Sequence, residues 1–289
     1  MRIRLDWFGE KLAQRLADLE AGRIVPAAPR DAATVMLLRP AAAAAGTGVE
    51  VLMLRRVAAM KFAPGAYVFP GGSVDPADYG AEVGWHGPDP AEFGARLGAT
   101  AEMARALVCA AVRETFEEAG VLLASAPGGG PLADPAGPSW AADRAALTAG
   151  DVTLAELLSR RGLVLRADLL VPWARWITPE GEPRRFDARF FAAAVPAGQL
   201  ATGHAAESDH IAWLRPADAI EAARAGQISM LPPTATMLHD VDQAGAAAVG
   251  DVVDAILARP PVIEPVLPRL ALEDGVAWLH IPDEVGYPL

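Results

Sequence analysis

The segment RETFEEAGV, residues 113–121, decides how the rest of the chain is interpreted. On a helix, Glu114, Glu117 and Glu118 lie on one face, because they are spaced i, i+3 and i+4. Each like-charged pair at that spacing costs roughly a few tenths of a kcal/mol, and the macrodipole disfavours anions near a helix C-terminus. A hard divalent cation would offset these costs, because Mg²⁺ binds carboxylate oxygens. The alternative is a solvated acidic face with Arg113 as a local partner.

The residues around this segment predict where the helix begins and ends. Thr100 is a suitable N-cap, because its hydroxyl can accept a hydrogen bond from the first turn. Gly120 is a suitable stop, because glycine adopts the left-handed conformation at low cost. We therefore expect a helix over about residues 100–119, with Cys109 on its inner side as a small core residue and not a nucleophile.

Composition excludes several classes of protein. The 289 residues carry 25 Lys and Arg against 36 Asp and Glu, a net charge of −11, which is unfavourable for binding nucleic acid or an acidic membrane. The sequence has no apolar run of membrane-spanning length, and residues 1–20 lack the apolar core of a signal peptide. The single cysteine excludes a disulfide framework and a cysteine-rich zinc site. We expect a cytoplasmic protein that binds neither nucleic acid nor a membrane.

Hydrophobic periodicity predicts a mixture of strands and helices, which indicates an α/β or α+β domain with additions at both ends. Strands are predicted at ATVMLL (33–38) and VEVLML (49–54), which would form a hairpin, and at LLVPWARWIT (169–178), ARFFAAAV (188–195) and HIAWL (210–214). Helices are predicted over residues 1–22, 154–162, 216–225 and 234–248, whereas 79–99 has no period, 124–150 resembles a loop, and a proline-rich tail ends the chain.

Together with Phe69-Pro70-Gly71-Gly72 upstream, the acidic segment resembles the Nudix hydrolase box, G-x5-E-x7-R-E-U-x-E-E-x-G-U. Its second half matches every fixed position, with Thr115 where the family has an aliphatic residue. In the first half, the family's glutamate falls on Asp78, and 34 residues separate Asp78 from Arg113 where the pattern has seven. A box split in this way is similar to the subfamily that includes the peroxisomal coenzyme A diphosphatases.

The resemblance implies a Nudix α-β-α sandwich with a mixed β-sheet. The Nudix domain would span residues 30–235 with an insertion at about 79–105. A helical extension (1–29) and a C-terminal extension (236–289) would pack on this domain or on a partner subunit, and packing on a partner would make a homodimer.

The resemblance also implies a set of catalytic residues. Glu114, Glu117 and Glu118 would hold Mg²⁺ or Mn²⁺, with the Gly71 carbonyl as a further ligand, and Arg113 would orient the carboxylates. The general base would be Glu207, in the loop before the HIAWL strand, with Glu114 as the alternative. His204 and His210 flank Glu207 and are interpreted as loop and strand-edge residues.

A second family pattern concerns the substrate. Coenzyme A-cleaving Nudix enzymes carry L-L-T-x-R-[SA]-x3-R-x3-G-x3-F-P-G-G before the box. Arg56, Gly65 and Phe69 fall at that spacing, and Lys61 replaces the second arginine. Two cations before a glycine-rich loop suit a polyphosphate, although lysine lacks the bidentate fork of arginine. The alternative is that Arg56 and Lys61 are ordinary surface charges.

A basic patch at PRRFDARFF holds Arg184, Arg185 and Arg189. Alternation places Arg185, Asp187 and Arg189 on one face of a strand. Arg184 and Arg185 could contact a substrate phosphate, or the set could be edge-strand charges paired with Asp187. Three tryptophans could stack on an adenine, but their spacing favours the core: Trp173, Trp176 and Trp213.

These observations lead to an expected function. The resemblance implies metal-dependent hydrolysis of a small nucleotide, coenzyme A or acyl-coenzyme A, to 3′,5′-ADP and (acyl-)4′-phosphopantetheine. One alternative is a Nudix pyrophosphatase that acts on ADP-ribose, NADH or another nucleotide. The other is a Nudix-fold binding or regulatory protein of low activity.

Overall fold

A computed structural model describes residues 1–5, 10–41, 48–57, 63–80, 82–130, 132–203, 208–248, 251–274 and 276–289. Its strands are β1 (Arg2–Arg4), β2 (Arg30–Pro40), β3 (Val49–Arg56), β4 (Ala66–Val68), β5 (Gly71–Ser73), β6 (Trp85–His86), β7 (Ala124–Ser125), β8 (Val164–Arg166), β9 (Val171–Ile177), β10 (Phe186–Ala194), β11 (Ser208–Leu214), β12 (Ser229–Met230), β13 (Pro265–Val266), β14 (Arg269–Glu273) and β15 (Val276–His280). Its helices are α1 (Glu10–Glu20), α2 (Pro90–Leu97), α3 (Ala101–Ala119), α4 (Pro138–Thr148), α5 (Leu154–Arg161), α6 (Pro216–Arg224), α7 (Pro232–Ala246) and α8 (Val252–Leu257).

A nine-stranded mixed sheet forms the centre of the fold. Its order is β12-β4-β3-β2-β10-β9-β13, with β11 also paired to β3 and β5 to β2. β2 and β3 are antiparallel, as the predicted hairpin requires. β10 runs parallel to β2 and antiparallel to β9, so it is a central strand. The suggested edge-strand position of the arginine patch is therefore wrong, because β10 has a neighbour on both sides.

Helices cover both faces of this sheet. α3 packs on the face that presents Val35 of β2 and Phe191 of β10, in one core cluster. α6, α7 and α8 pack on the opposite face, which presents Met36 of β2 and Met53 of β3. Alternation along β2 and β3 supplies apolar side chains to both clusters, because a sheet buried on both faces needs apolar residues at successive positions. The predicted α-β-α sandwich is confirmed.

The predicted ends of the glutamate-bearing helix are confirmed. The Thr100 hydroxyl accepts a hydrogen bond from Met103 N at 3.2 Å, and α3 begins at the next residue. At the other end, Gly120 has φ 69° and donates to Phe116 O at 2.9 Å. Both caps act within one turn of the chain, so local sequence was enough to locate them.

Several segments contain elements that the sequence did not predict. α2 lies in the insertion; Asp89 caps it and Glu92 completes a capping box. α4 lies within residues 124–150, where a loop was expected, so that prediction is wrong over Pro138–Thr148. The proline-rich tail includes α8 and β13–β15, and it packs Ile281 into the core with α7.

The N-terminal segment also differs from the expected single helix. It forms β1 in a three-stranded sheet with β15 and β14, and then α1. Leu12 and Leu16 of α1 are buried with Leu5, which lies before the helix. β6, β8 and β7 form another small sheet. Among the described residues, no helix is both long and apolar enough to cross a membrane.

Candidate active site

Arg113 links the glutamates of α3 to the turn before the insertion. Its Nη2 donates to Asp78 Oδ2 at 2.8 Å and to the Ser73 carbonyl at 3.0 Å, and its Nε donates to Asp78 Oδ1 at 3.2 Å. Its Nη1 donates to Glu114 Oε1 at 2.7 Å and lies 3.5 Å from Glu117 Oε1. Burial opposes the charge, but hydrogen bonds and attraction from Asp78 and Glu114 outweigh it and raise the pKa of Arg113. Arg113 is therefore a permanent cation that orients two of the three glutamates.

The two glycines of β5 lie beside these glutamates. The Gly71 N–H donates to Glu118 Oε2 at 2.9 Å. A Cβ atom at Gly72 would overlap the Glu114 carboxylate. Pairing of β5 with β2 fixes this strand in the sheet, so the sheet holds the FPGG segment against α3.

Asp78 occupies the position where the family pattern has glutamate, and its side chain is only 3% exposed. It ends a 3-10 turn, Pro76–Asp78, in which Asp75 Oδ1 accepts from Ala77 N at 2.8 Å. Asp78 Oδ2 in turn accepts from Asp75 N at 2.8 Å. The turn brings this shorter carboxylate within hydrogen-bond distance of Arg113.

The donors on α3 suit a hard divalent cation. Carboxylates and backbone carbonyls are oxygen donors of the kind that Mg²⁺ and Mn²⁺ bind. The Glu114 carboxylate occupies the space that a Cβ at Gly72 would fill, so Glu114 lies against the sheet. Across the described ranges, no three His, Cys, Asp or Glu side chains are already gathered as a metal site. Arg113 and the Gly71 N–H donate hydrogen bonds to the glutamates instead. The residues fit a cation because their donor atoms are carboxylate oxygens and because all three lie on one face of α3.

A cluster at the C-terminal end of α3 was not predicted from the sequence. Arg144 of α4 donates from Nε to the Glu117 carbonyl at 2.9 Å. It also donates from Nη1 to Thr202 Oγ1 at 3.0 Å and from Nη2 to the Thr202 carbonyl at 2.9 Å. The Gln199 side chain forms two hydrogen bonds with the backbone of Leu122, at 2.9 and 3.0 Å. Only Gly137-Pro138, which marks the start of α4, could have indicated this helix from sequence.

The predicted substrate residues occupy different environments. Arg56 ends β3, half-buried, and alternation places it with Leu52 on the face that α3 covers. Gly65 donates to the Arg56 carbonyl at 3.0 Å and so closes the turn after β3. Phe69 is buried in the core on the opposite face, so the structure assigns it to packing. Lys61 lies outside the described residues.

The basic patch is divided in the structure. Arg184 is exposed, whereas Arg185 is buried and donates to the carbonyls of Thr178 and Ala27, at 2.9 and 2.8 Å. Arg189 is buried beside Asp187 and lies 2.6 Å from the Asp31 carboxylate. Arg185 and Arg189 therefore serve the interior of the protein, and Arg184 alone of the three arginines is open to solvent.

The remaining candidates are largely core residues. Trp173 and Trp176 are buried together on the face that α7 covers, and Trp213 is half-buried beneath the Arg39 guanidinium, 4.2 Å from its ring centre. Burial raises the pKa of Cys109 to about 12, consistent with a core residue that is not a nucleophile. Glu207 and His204 lie outside the described residues. His210 is exposed on β11, with its ring edge-on to Tyr67.

Comparison with known proteins gives a consistent set of relatives. A family model described as the NUDT19 Nudix domain matches residues 94–240, a range that holds all of α3. The chain is 32% identical over 226 residues to the acyl-coenzyme A diphosphatase NUDT19 of Gallus gallus, and 30% identical over 278 residues to that of Homo sapiens. It is 33% identical over 217 residues to a nudix hydrolase of Caenorhabditis elegans.

The shared lengths differ among these relatives. The match covers 82% of this chain and 72% of the human protein. It covers 64% of this chain and 58% of the chicken protein, and 74% and 61% for the nematode protein, so the chain spans about three fifths of those two. A solved NUDIX hydrolase from Alicyclobacillus acidocaldarius superposes with a TM-score of 0.63 and 30% identity, over 81% of this chain and 98% of that one.

Proposed function

The chain belongs to the Nudix hydrolase family, and from this premise we propose that it hydrolyses the phosphoanhydride bond of coenzyme A or acyl-coenzyme A. Water would cleave the bond to give 3′,5′-ADP and (acyl-)4′-phosphopantetheine. The observation that carries the proposal is the contact of α3 with β5, where Arg113 and the two glycines engage all three glutamates. The relatives named as acyl-coenzyme A diphosphatases support this choice of substrate.

Each group of the site has a proposed role. Glu114, Glu117 and Glu118 would hold Mg²⁺ or Mn²⁺, with the Gly71 carbonyl as a further ligand, and Arg113 orients the carboxylates. The bound cation supplies charge for the phosphate oxygens and lowers the pKa of the attacking water. Glu207 would accept the proton from that water, with Glu114 as the alternative base.

The substrate contact proposed on β3, Arg56, lies on the α3 side of the sheet. Arg56 and Lys61 would bind the diphosphate, and Gly65 would keep Arg56 in place through its hydrogen bond to the Arg56 carbonyl. Arg184, which is exposed, remains a candidate for the 3′-phosphate of the ribose. Arg185 and Phe69 are left out of this set, because the structure uses both of them in the interior.

The test is product analysis of the purified chain with Mg²⁺ or Mn²⁺. The panel holds coenzyme A, its acetyl and long-chain acyl derivatives, dephospho-coenzyme A, ADP-ribose and NADH. Release of 3′,5′-ADP from coenzyme A species at the highest kcat/KM supports the proposal. A preference for ADP-ribose or NADH would keep the metal helix and overturn the substrate.

A matched variant separates an enzyme from a binding protein. E117Q removes one proposed ligand charge while keeping the shape of the side chain, and we expect a loss of at least about 10²-fold in kcat. No hydrolysis across the panel with either cation would favour the binding or regulatory alternative. The homodimer stays a prediction, which light scattering of the purified chain can test.

A further inference from the structure

The C-terminal end of α3 holds three negatively charged side chains close together. Glu114, Glu117 and Glu118 lie in its last turns, where the free carbonyls and the macrodipole already favour a cation. A basic side chain in the last turn normally supplies that cation, and α3 has none there. Arg113 of α3 pairs with the Glu114 and Glu117 side chains, but it precedes the last turn, so the cation at the helix end comes from another part of the chain.

Arg144 of α4 supplies that charge. Its three nitrogens donate at 2.9–3.0 Å to the Glu117 carbonyl and to both oxygens of Thr202. Thr202 N donates to the Ala119 carbonyl at 2.8 Å, which joins this segment to the end of the helix. Burial lowers the pKa of Arg144, while attraction by Glu117 and Glu118 opposes that shift, so both carboxylates lie within its field.

α4 holds Arg144 in a fixed place. Trp140, one turn earlier on α4, packs edge-on against Phe116 of α3 with 6.0 Å between ring centres. The Arg161 guanidinium covers the same indole at 4.0 Å and pairs with Asp143. The contact between Phe116 and Trp140 fixes α4 against α3, so the position of Arg144 is set before any ligand binds.

We propose that Arg144 is a positioning residue for the metal-binding glutamates. Its hydrogen bonds to the Glu117 carbonyl and to Thr202 fix the last turn of α3. This inference rests on the proposed function of α3 as the metal helix. Arg144 donates a hydrogen bond to the main-chain carbonyl of Glu117 itself. Loss of this hydrogen bond would let the backbone at Glu117 move, and the orientation of the Glu117 carboxylate depends on that backbone. The side chain of Glu117 stays intact in such a variant, which separates positioning from ligation.

The experiment compares R144M and R144K with R160M. Arg160 is an exposed α5 residue that pairs with Asp143, so R160M controls for the loss of one positive charge near α4. Mn²⁺ binding, followed by electron paramagnetic resonance, is the primary readout, and kcat and KM for coenzyme A are measured separately. We expect R144M to weaken Mn²⁺ binding and to lower kcat by roughly tenfold each, as loss of an orienting partner does. KM should change by less than about threefold.

The opposite result has a clear physical meaning. An arginine that acted only by charge would repel Mn²⁺, so its removal would tighten Mn²⁺ binding, and that outcome overturns the proposal. R144K should recover part of the loss, because lysine keeps the charge and one hydrogen bond. Unchanged Mn²⁺ binding and kcat in R144M, with a lower melting temperature, would assign Arg144 to stability alone.

Two further measurements keep the proposal testable. If R144M does not fold, T202V removes only the hydroxyl acceptor and should weaken Mn²⁺ binding in the same direction by a smaller factor; no change would overturn the proposal. Mn²⁺ binding by the wild type without coenzyme A hydrolysis would refute the proposed substrate and leave this inference standing. Equal binding by wild type and E117Q would refute the metal helix and this inference with it.

Discussion

Asp78 and Arg113 form a two-point ion pair, at 2.8 and 3.2 Å, across the 34 residues that separate them in sequence. The Arg113 side chain also contacts Glu114 and Glu117, so this pair joins the 3-10 turn after β5 to the glutamates. The insertion begins after Asp78, which ends the 3-10 turn that follows β5, and it continues into the first turn of α3. The pair therefore holds the two parts of the split box together across the insertion.

Removal of the Asp78 charge should destabilise the chain. D78N leaves Arg113 buried with one fewer compensating charge, and loss of one partner of a buried pair costs about 3–5 kcal/mol. Asparagine keeps one hydrogen-bond acceptor, so we expect about 2 kcal/mol in urea unfolding. Specific activity per folded molecule should fall as well, because Arg113 orients two glutamates.

Asp168 offers a matched control for this prediction. It makes a similar two-point pair with Arg166, at 2.7 and 2.6 Å, but it is 29% exposed and lies outside the site. D168N should cost less than about 1 kcal/mol, as partly exposed pairs do. Equal losses for the two variants would show that burial at Asp78 contributes nothing special.

The close approach at Gly72 gives a variant that separates activity from stability. In G72A the three atoms nearest the new methyl group would all belong to the Glu114 carboxylate, the end of a side chain that can rotate away. We expect a loss of about 1–2 kcal/mol in the free energy of unfolding, because no backbone has to move but the displaced Glu114 carboxylate weakens its contact with Arg113. The kcat should fall by about 10²-fold, because the Glu114 carboxylate would no longer be in the position proposed for binding the metal.

Gly130 is a suitable comparison for G72A. A Cβ atom there meets nothing within 4 Å, and the backbone does not need the left-handed conformation. G130A should therefore keep full activity, with stability equal to or slightly above that of the wild type. An active G72A protein would mean that Glu114 functions in more than one position.

Adjacent arginines on β3 test the proposed substrate contact. Arg56 shares the α3 side of the sheet with Leu52, whereas Arg55 lies on the other side and pairs with Asp209 at 2.7 Å. R56A should raise KM for coenzyme A by about tenfold, the scale of one charge-assisted hydrogen bond. R55A should leave KM within about twofold. Similar KM values for R56A and R55A would remove Arg56 from the site.

The sequence predicted the elements whose signals are local. The caps at Thr100 and Gly120 are such signals, and so is the alternation in the hairpin of β2 and β3. The signals for α2 were present in Asp89 and Glu92, but the surrounding glycines and prolines obscured the short helix.

The remaining features depend on contacts between distant segments. The pairing of β10 with β2 joins Phe186 to Arg30, and no periodicity reports which strands become neighbours. The same holds for Arg144, whose partners lie 27 and 58 residues away in sequence. The length of Asp78 could be read from the sequence, but the 3-10 turn that lets it reach Arg113 could not.

Asp240 makes the stability of the chain depend on pH. Burial raises the pKa of this α7 carboxyl to about 6, against the attraction of His239. The folded state therefore holds its proton more tightly than the unfolded chain does. This contribution is fully present below the unfolded pKa of 3.8, and it is lost as the pH rises to about 6.

D240N should remove this dependence, because the amide stays neutral at every pH. Each unit of pKa difference corresponds to about 1.4 kcal/mol, so we expect D240N to be more stable than the wild type by about 2 kcal/mol at pH 8. The difference should nearly vanish at pH 4. Urea unfolding at both pH values measures it, with E221Q, an exposed α6 residue, as the control for loss of one negative charge. A constant difference between pH 4 and 8 would mean that Asp240 ionises alike in the folded and unfolded states.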